Sequence, residues 1–403
     1  MDVTVDLDPA PLDAADRLAS FRDRFAPIDP DLVYLDGNSL GRPPKAAIER
    51  VRAVAQQWTS RLIRGWDEGW LELPLTVGDT LATGVLGARS GEVALTDSTT
   101  VNLYRLAAAA LDARPERRTI LIERSEFPTD RYVVEGLARE RDREVRWLDG
   151  DPIEGLSRDV IAAGLDDSVA LLILSAVNYR SSAIAEIRPV TDAARAAGAF
   201  VLWDLSHAAG AIPVDLEANG IDLAVGCTYK YLNGGPGAPA YLYVRRELQD
   251  ELRPPIQGWF AQREQFEMGP RFERSPGIGG WLVGTPGIIG LTAASAGIEL
   301  AAEAGMEAAR AKAVALSTYA VELLDAWLAP LGCSLGSPRD PARRGAAIAI
   351  RHPDAERLSR RLIERNVLID YRAPDSIRVG LSPLTTSFAD VHSGLAALRD
   401  LLR

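Results

Sequence analysis

The stretch FVLWDLSHAAGAIPVDLEANGIDLAVGCTYKYLNGGPGA, residues 200–238, decides the fold. It opens on a short apolar run, FVLWDL (200–205), and carries a second, LAVGC (223–227), each of a length and composition that reads as a buried strand. Asp204 stands where the first run gives way to a loop, and Lys230 follows the second, just ahead of a Gly-rich loop where backbone can approach a ligand closely. In open parallel sheets ligands sit at the carboxyl ends of strands, so polar residues after each run are the ones to examine.

Working outward, the same rhythm runs from about residue 90 to 245. Strand-like EVALTD (92–97), TILIE (119–123), VALLILS (169–175) and AYLYV (240–244) alternate with helical stretches such as RYVVEGLARERDR (131–143) and VTDAARAAG (190–198). This pattern predicts an α/β fold, a mostly parallel sheet covered by helices. Residues 288–330 read as one or two long helices broken near Gly305. Beyond them, AAIAIR (346–351), DAERLSRRLIERN (354–366) and IRVGL (377–381) predict a smaller α+β domain. The expected division is an N-terminal segment, 1–55, packing with the small domain, then a large domain, 56–290, and the small C-terminal domain, 291–403.

Of the chain's 403 residues 47% are hydrophobic and 25% charged, the balance of a globular protein. The apolar run at 169–177 is far short of the ~20 residues that span a bilayer. The start, MDVTVDLDPAP, is acidic and does not read as a signal peptide, so a cytoplasmic setting is expected. A net charge of −11 argues against nucleic-acid or anionic-membrane partners, whose binding rests on clustered positive charge. Two cysteines, Cys227 and Cys333, cannot build a disulfide framework or a four-ligand zinc site. His207, His352 and His392 are not at metal-ligand spacing with Cys or carboxylates, so no metal site is expected. GxGxxG after a strand, GxxxxGK[ST] and GxSxG are all missing, which weakens dinucleotide, P-loop and serine-hydrolase readings.

Among 45 basic residues 42 are arginine, leaving Lys45, Lys230 and Lys312 as the only amine nucleophiles. Lys45, in the first turn of an expected helix, and Lys312, in an Ala/Glu/Arg helix, read as surface residues. Lys230 reads either as a loop lysine paired with a carboxylate or as a nucleophile. Asp204 either caps the next helix or holds a pyridinium nitrogen protonated. Strand-end aspartate, next-strand lysine and Gly-rich loop taken together are what pyridoxal phosphate needs to act as an electron sink. Ser98, Thr99 and Thr100 open a helix after a strand, either as an ordinary cap or as a phosphate site. In EFPTDRY (126–132), Phe127 is suited to stack on a flat ring and Asp130 to contact its substituents; the alternative is a Pro-directed turn with a core Phe.

YLDGNSLG (34–41), TDSTTVNL (96–103), EFPTDRY, VNYRSS (177–182), WDLSHAAGAIPVDL (203–216), CTYKYLNGGPGA (227–238), GWF (258–260), GTPGI (284–288) and IRVGLSPL (377–384) resemble bacterial kynureninases in order and in kind. The resemblance implies the pyridoxal-phosphate-dependent transferase fold of type I, in its class V aminotransferase-like branch. It implies that Lys230 binds the cofactor covalently and then shuttles a proton, with Asp204 on the pyridine nitrogen and Tyr229 beside them. Thr99, Thr100 and Tyr229 would hold the phosphate, Phe127 would stack on the ring, and Thr129, Asp130, Ser175 and His207 would contact the ring or its neighbours. Trp259 and Thr285 match positions that reach a phosphate across a homodimer interface. Arg378 matches the arginine that binds the substrate α-carboxylate, and Asn38 and Trp66 match residues near the substrate. The implied reaction is hydrolytic Cβ–Cγ cleavage of L-kynurenine or 3-hydroxykynurenine to an anthranilate and L-alanine.

Two motifs depart from the family's usual pattern. Ala261 and Gln262 stand where GWxGH is common, and Ala176 stands where a histidine usually precedes the VNYR motif. Aryl recognition is therefore expected to differ, since hydrogen-bond partners set specificity most strongly. Rival readings are a C–S lyase or cysteine desulfurase, for which Cys333 would be the sole loop-thiol candidate, and a non-catalytic binding protein on the same fold.

Overall fold

The computed structural model describes residues 7–403; residues 1–6, and with them the start of the sequence read above for a leader and of the segment 1–55, lie outside the described residues. The central sheet has seven strands: β2 (Val93–Leu95), β3 (Thr119–Glu123), β4 (Glu144–Leu148), β5 (Val169–Ser175), β6 (Phe200–Asp204), β7 (Leu223–Gly226) and β8 (Tyr241–Val244); β1 (Val33–Tyr34) lies outside it. Their spatial order is β2-β8-β7-β6-β5-β3-β4, and β8 alone runs against the others. Both faces of this sheet are covered, which is why its inner strands read as near-continuous apolar runs. Leu172, Leu174, Val201, Trp203 and Ala224 pack on one face, and Leu171, Ile173, Phe200, Leu202 and Val225 on the other. Each fully buried large apolar side chain stabilises the fold by about 1.5–3 kcal/mol.

A second sheet, β12 (Asp370–Arg372), β13 (Ser376–Gly380), β10 (Ala347–Arg351) and β9 (Ser334–Leu335), is antiparallel throughout. Its inward Ile348, Ile350, Ile377 and Val379 share a core with helices Met306–Leu323, Ala355–Ile363 and Phe388–Leu402. Ser387 caps the last of these in a reciprocal capping box with Asp390. The long helices Ile288–Ala304 and Met306–Leu323 break at Gly305, whose φ of 77° lies in the left-handed region that glycine enters freely. Helices Lys45–Arg61 and Ile288–Ala304 run through residues 55 and 290, where the sequence places its boundaries.

The N-terminal segment is strapped to both bodies. β1 pairs in parallel with β11 (Val367–Leu368), and Asp13 accepts from the backbone N–H groups of Phe388 and Ala389 at 3.0 and 2.9 Å. Further on, the Gly41 N–H donates to the Tyr229 carbonyl at 2.7 Å. A Cβ on Gly41 would meet the Lys230 carbonyl oxygen at 2.3 Å, so this approach requires glycine.

Lys312 corrects the sequence reading. Its ammonium is buried, 2.6 Å from Asp16 Oδ2 and 4.2 Å from the Phe388 ring centre, and Arg22 also reaches Asp16. The run Met306–Leu331 is long and apolar enough to cross a bilayer by composition alone. Its Leu316, Tyr319, Ala320 and Leu323 lie in the core beside this buried ion pair, the arrangement of a core helix.

Candidate functional site

At the carboxyl ends of β5, β6 and β7 lies a cavity of ≈ 200 Å³. Thr99, Thr100, Phe127, Thr129, Asp130, Ser175, Asp204, His207, Tyr229 and Lys230 all line it. The architecture explains how residues distant in sequence meet here. β5 and β6 are neighbours in register, pairing Ser175 with Asp204, and β6 pairs Asp204 with Val225 on β7. Lys230 follows β7 on a loop turned by Gly235 and Gly237, whose φ values are 92° and 68°. The helix Thr99–Asp112 points its N-terminus at the same cavity, with Ser98 as its cap, so first-turn N–H groups and the positive dipole end are available to an anion.

The Lys230 ammonium nitrogen lies 2.9 Å from His207 Nε2. Burial, reinforced by the charges of Lys230, Arg378 and Arg372, pushes the imidazole well below its usual range, so His207 is neutral and accepts from the amine. Asp204 is buried and accepts from the Ser206 N–H at 2.7 Å. Burial raises its carboxyl, while Ser206 and Lys230 oppose that rise. Asp130 is fully buried with both carboxyl oxygens unpartnered, and burial together with Asp204 and Glu126 pushes it well above the carboxylate range. Phe127 is 37% exposed, and its ring centre lies 5.8 Å from the Lys230 nitrogen and 5.3 Å from the Tyr179 ring.

These donors fit pyridoxal phosphate. A strand-end carboxyl suits a cationic ring nitrogen, the two unpartnered oxygens of Asp130 suit a polar ring substituent, a helix N-terminus suits a phosphate, and the Lys230 amine lines the same cavity. Flat aromatic surface borders the same space.

Arg378, Asn38 and Trp66 do not line this cavity, nor do Trp259 and Thr285. Arg378 lies close behind it. Its Nη1 donates to the carbonyl of Tyr179, which does line the cavity, at 2.6 Å. Asn38 is buried beside Gly380 with both side-chain polar atoms unpartnered. Trp66 stacks edge-on against Trp70 at 5.6 Å and packs on Phe260. Trp259 is 43% exposed, its indole N–H donating to the Gln265 carbonyl at 3.0 Å, and Thr285 is exposed. Ala176 is in the core, and Gln262 accepts from the Glu273 N–H at 2.7 Å, tying down its own loop.

Sequence reasoning passed over Glu126. It is buried, and it accepts from the backbone N–H of Ser175 at 2.8 Å, the Ser175 hydroxyl at 2.5 Å and the Phe127 N–H at 2.9 Å. Burial and neighbouring Glu123 push its carboxyl up to about 7. The available signal was a charged residue between a strand end and a Pro-initiated helix. Tyr179 and Asp370 were missed as well.

The described residues hold no group of three or more His, Cys, Asp or Glu side chains placed to bind a metal. Solved structures with the same fold include a cysteine desulfurase from Thermococcus onnurineus, with TM-score 0.83, 18% identity, and 95% of this chain and 97% of that one covered. Another is a variant of C-DES with glycine covalently linked to its pyridoxal-phosphate cofactor, with TM-score 0.81, 18% identity, and 92% and 97% covered. At this identity they establish the type I fold of pyridoxal-phosphate enzymes and nothing finer. A family model of the kynureninase C-terminal domain matches residues 309–398. The kynureninase of Burkholderia pseudomallei is 43% identical over 399 residues, 97% of this chain and 94% of its own. That of Pseudomonas fluorescens is 40% identical with the same coverage. The chain belongs to the kynureninase family.

Proposed function

We propose that this protein is a pyridoxal-phosphate-dependent kynureninase, hydrolysing L-kynurenine or a ring-substituted kynurenine to an anthranilate and L-alanine. The observation that carries the reading is the meeting of Asp204, Asp130, Lys230 and the Thr99–Thr100 helix N-terminus in one cavity, on a chain with full-length kynureninase relatives. Bound pyridoxal phosphate supplies an aldehyde that joins the substrate amine and a protonated ring that draws electrons from Cα.

The chain's own residues do the rest. Asp204, at the end of β6, would accept from the ring nitrogen and keep it protonated, and buried Asp130, its carboxyl pushed well above the usual range, would face the ring as a neutral hydrogen-bonding group. Phe127 covers a ring face. Thr99, Thr100 and Tyr229 hold the phosphate against the helix N-terminus, with Ser175 and Thr129 along the ring edge. Lys230 would move the α-proton, with neutral His207 at 2.9 Å accepting from the amine and orienting it. Arg378 takes the substrate carboxylate, with Asn38 near it. Water would add to the γ-carbonyl, the Cβ–Cγ bond would break to release the aryl carboxylic acid, and protonation of the remaining three-carbon unit at Cβ and Cα would give alanine.

This reading extends to a homodimer, in which Trp259 and Thr285 serve the neighbouring cavity, with Trp66 near the substrate. Exposed Trp58, Leu62, Ile63, Phe266 and Met268 support a second copy. A cofactor-binding body and a smaller C-terminal body, an acidic cytoplasmic enzyme and a small-molecule substrate belong to the same proposal. The desulfurase alternative needs an accessible thiolate. Cys333 is buried with its thiol pushed up to about 11, and Cys227 is buried and raised too.

The test is addition of L-kynurenine to the cofactor-loaded protein. Loss of kynurenine absorbance with one alanine released per molecule supports the reading. A cofactor band that shifts with no alanine formed points to a different β-substituted amino acid.

A further inference from the structure

Arg378 is held by more than its place in the sheet. Its Nε donates to Asp370 Oδ1 at 2.8 Å, and its Nη2 bonds Asp370 Oδ2, so one edge of the guanidinium is clamped by both oxygens. Asp370 and Arg378 are direct partners across the antiparallel β12–β13 ladder, so the clamp is built into the register. The remaining edge, Nη1 and Nη2, faces the Tyr179 carbonyl at 2.6 Å and the Ser39 hydroxyl at 3.1 Å. Ser39 also donates to Asp370 Oδ2 at 3.1 Å.

We propose that Asp370 is a positioning residue for substrate, fixing Arg378 so that its Nη1/Nη2 edge meets the α-carboxylate of an amino acid in place of the Tyr179 carbonyl and the Ser39 hydroxyl, with Arg372 supplying the second positive charge. Arg372 lies two residues along β12, on the same face, and its Nη2 sits 2.9 Å from Asp370 Oδ2. The charge count supports this assignment. With Arg378 3% exposed, a lone arginine paired to Asp370 is already neutral, and an incoming carboxylate would add an uncompensated buried anion. Arg372 balances it. Nearby Asp36, whose carboxyl burial and Asp370 push up to about 6, is neutral below that pH and adds a negative charge above it, so the balance is complete only in mild acid.

The inference rests on the reading of Arg378 as the carboxylate site, and the experiment separates the two. In the cofactor-loaded holoenzyme, Asp370→Asn is expected to raise KM for L-kynurenine roughly 10–100-fold, the loss of one charge-assisted contact, with kcat within about threefold. The cofactor's visible band and its affinity for the protein should not change. In an Arg378→Lys background the further effect of Asp370→Asn should largely vanish. An unchanged KM, or losses that multiply independently in the double variant, would overturn the assignment. If Asp370→Asn does not fold, Asp370→Glu, which keeps the charge and displaces the clamp by one methylene, should raise KM in the same way, and a wild-type KM would count against it. If the wild-type chain does not cleave kynurenine, the function reading fails, yet L-alanine titrated against the cofactor band still reads carboxylate binding. Weakening of alanine binding by Asp370→Asn would sustain the inference on its own, and unweakened binding would overturn it.

Discussion

Removing the Asp16 carboxylate is expected to cost more than removing the Lys312 amine, although the two form one ion pair. Their side chains are 2% and 5% exposed, so solvent screens neither, and breaking such a pair from one side typically costs about 3–5 kcal/mol. The structure makes the two sides unequal. In Lys312→Met, Asp16 keeps Arg22 at 2.8 Å and the Leu18 N–H at 2.9 Å, so its charge stays compensated and the loss should be about 2 kcal/mol. In Asp16→Asn, Lys312 keeps, among the described residues, the Phe388 ring at 4.2 Å and the charge of Asp13 but no paired carboxylate, Arg22 loses its 2.8 Å partner, and about 3–5 kcal/mol applies. The double variant should be more stable than Asp16→Asn alone, since no unpaired ammonium remains. Urea unfolding of the full-length holoenzyme, followed by tryptophan fluorescence, reads all four corners of the cycle. Equal costs for the two single variants, or a cost below about 1 kcal/mol for Asp16→Asn, would refute this account of how the N-terminal segment is anchored.

Glu126→Gln should change how stability depends on pH. Its folded carboxyl, at about 7, lies above the usual 4.5, so its contribution is present below pH 4.5 and is lost as pH rises through about 7. The amide is exempt, and the variant should gain on the wild type by at most about 3 kcal/mol between pH 5 and 8; parallel urea-denaturation profiles would contradict this. Gly41→Ala should lower the melting temperature and raise KM, because its methyl would meet the Lys230 carbonyl at 2.3 Å and Asn233 Cα at 2.8 Å, overpacking worth about 1–3 kcal/mol. A variant with wild-type melting and KM would show that the strap yields at no cost.

Local pattern carried the buried strands. TILIE and VALLILS are strands over the residues read from sequence, because inner strands buried on both faces are apolar throughout. Strand β4, EVRWL, went unread; it lies at the sheet edge, where alternating Glu144 and Arg146 look like the tail of the preceding helix. The reversed direction of β8 had a signal, since the loop between Gly226 and Tyr241 holds no crossover helix and a parallel connection needs one. Ten residues assigned by resemblance line one cavity because each ends or follows a strand, or opens a helix, at the same sheet end. Burial of Lys312 and the clamp on Arg378 were not legible. One depends on Asp16, 296 residues away, and the other on the register of two short strands.

The central claim is that Lys230, alone of the three lysines, carries the cofactor. Borohydride reduction of the cofactor-loaded chain followed by peptide mapping tests it most directly. The account predicts the reduced cofactor's mass on the peptide containing Lys230; that mass on the Lys45 or Lys312 peptide, or on none, would contradict it.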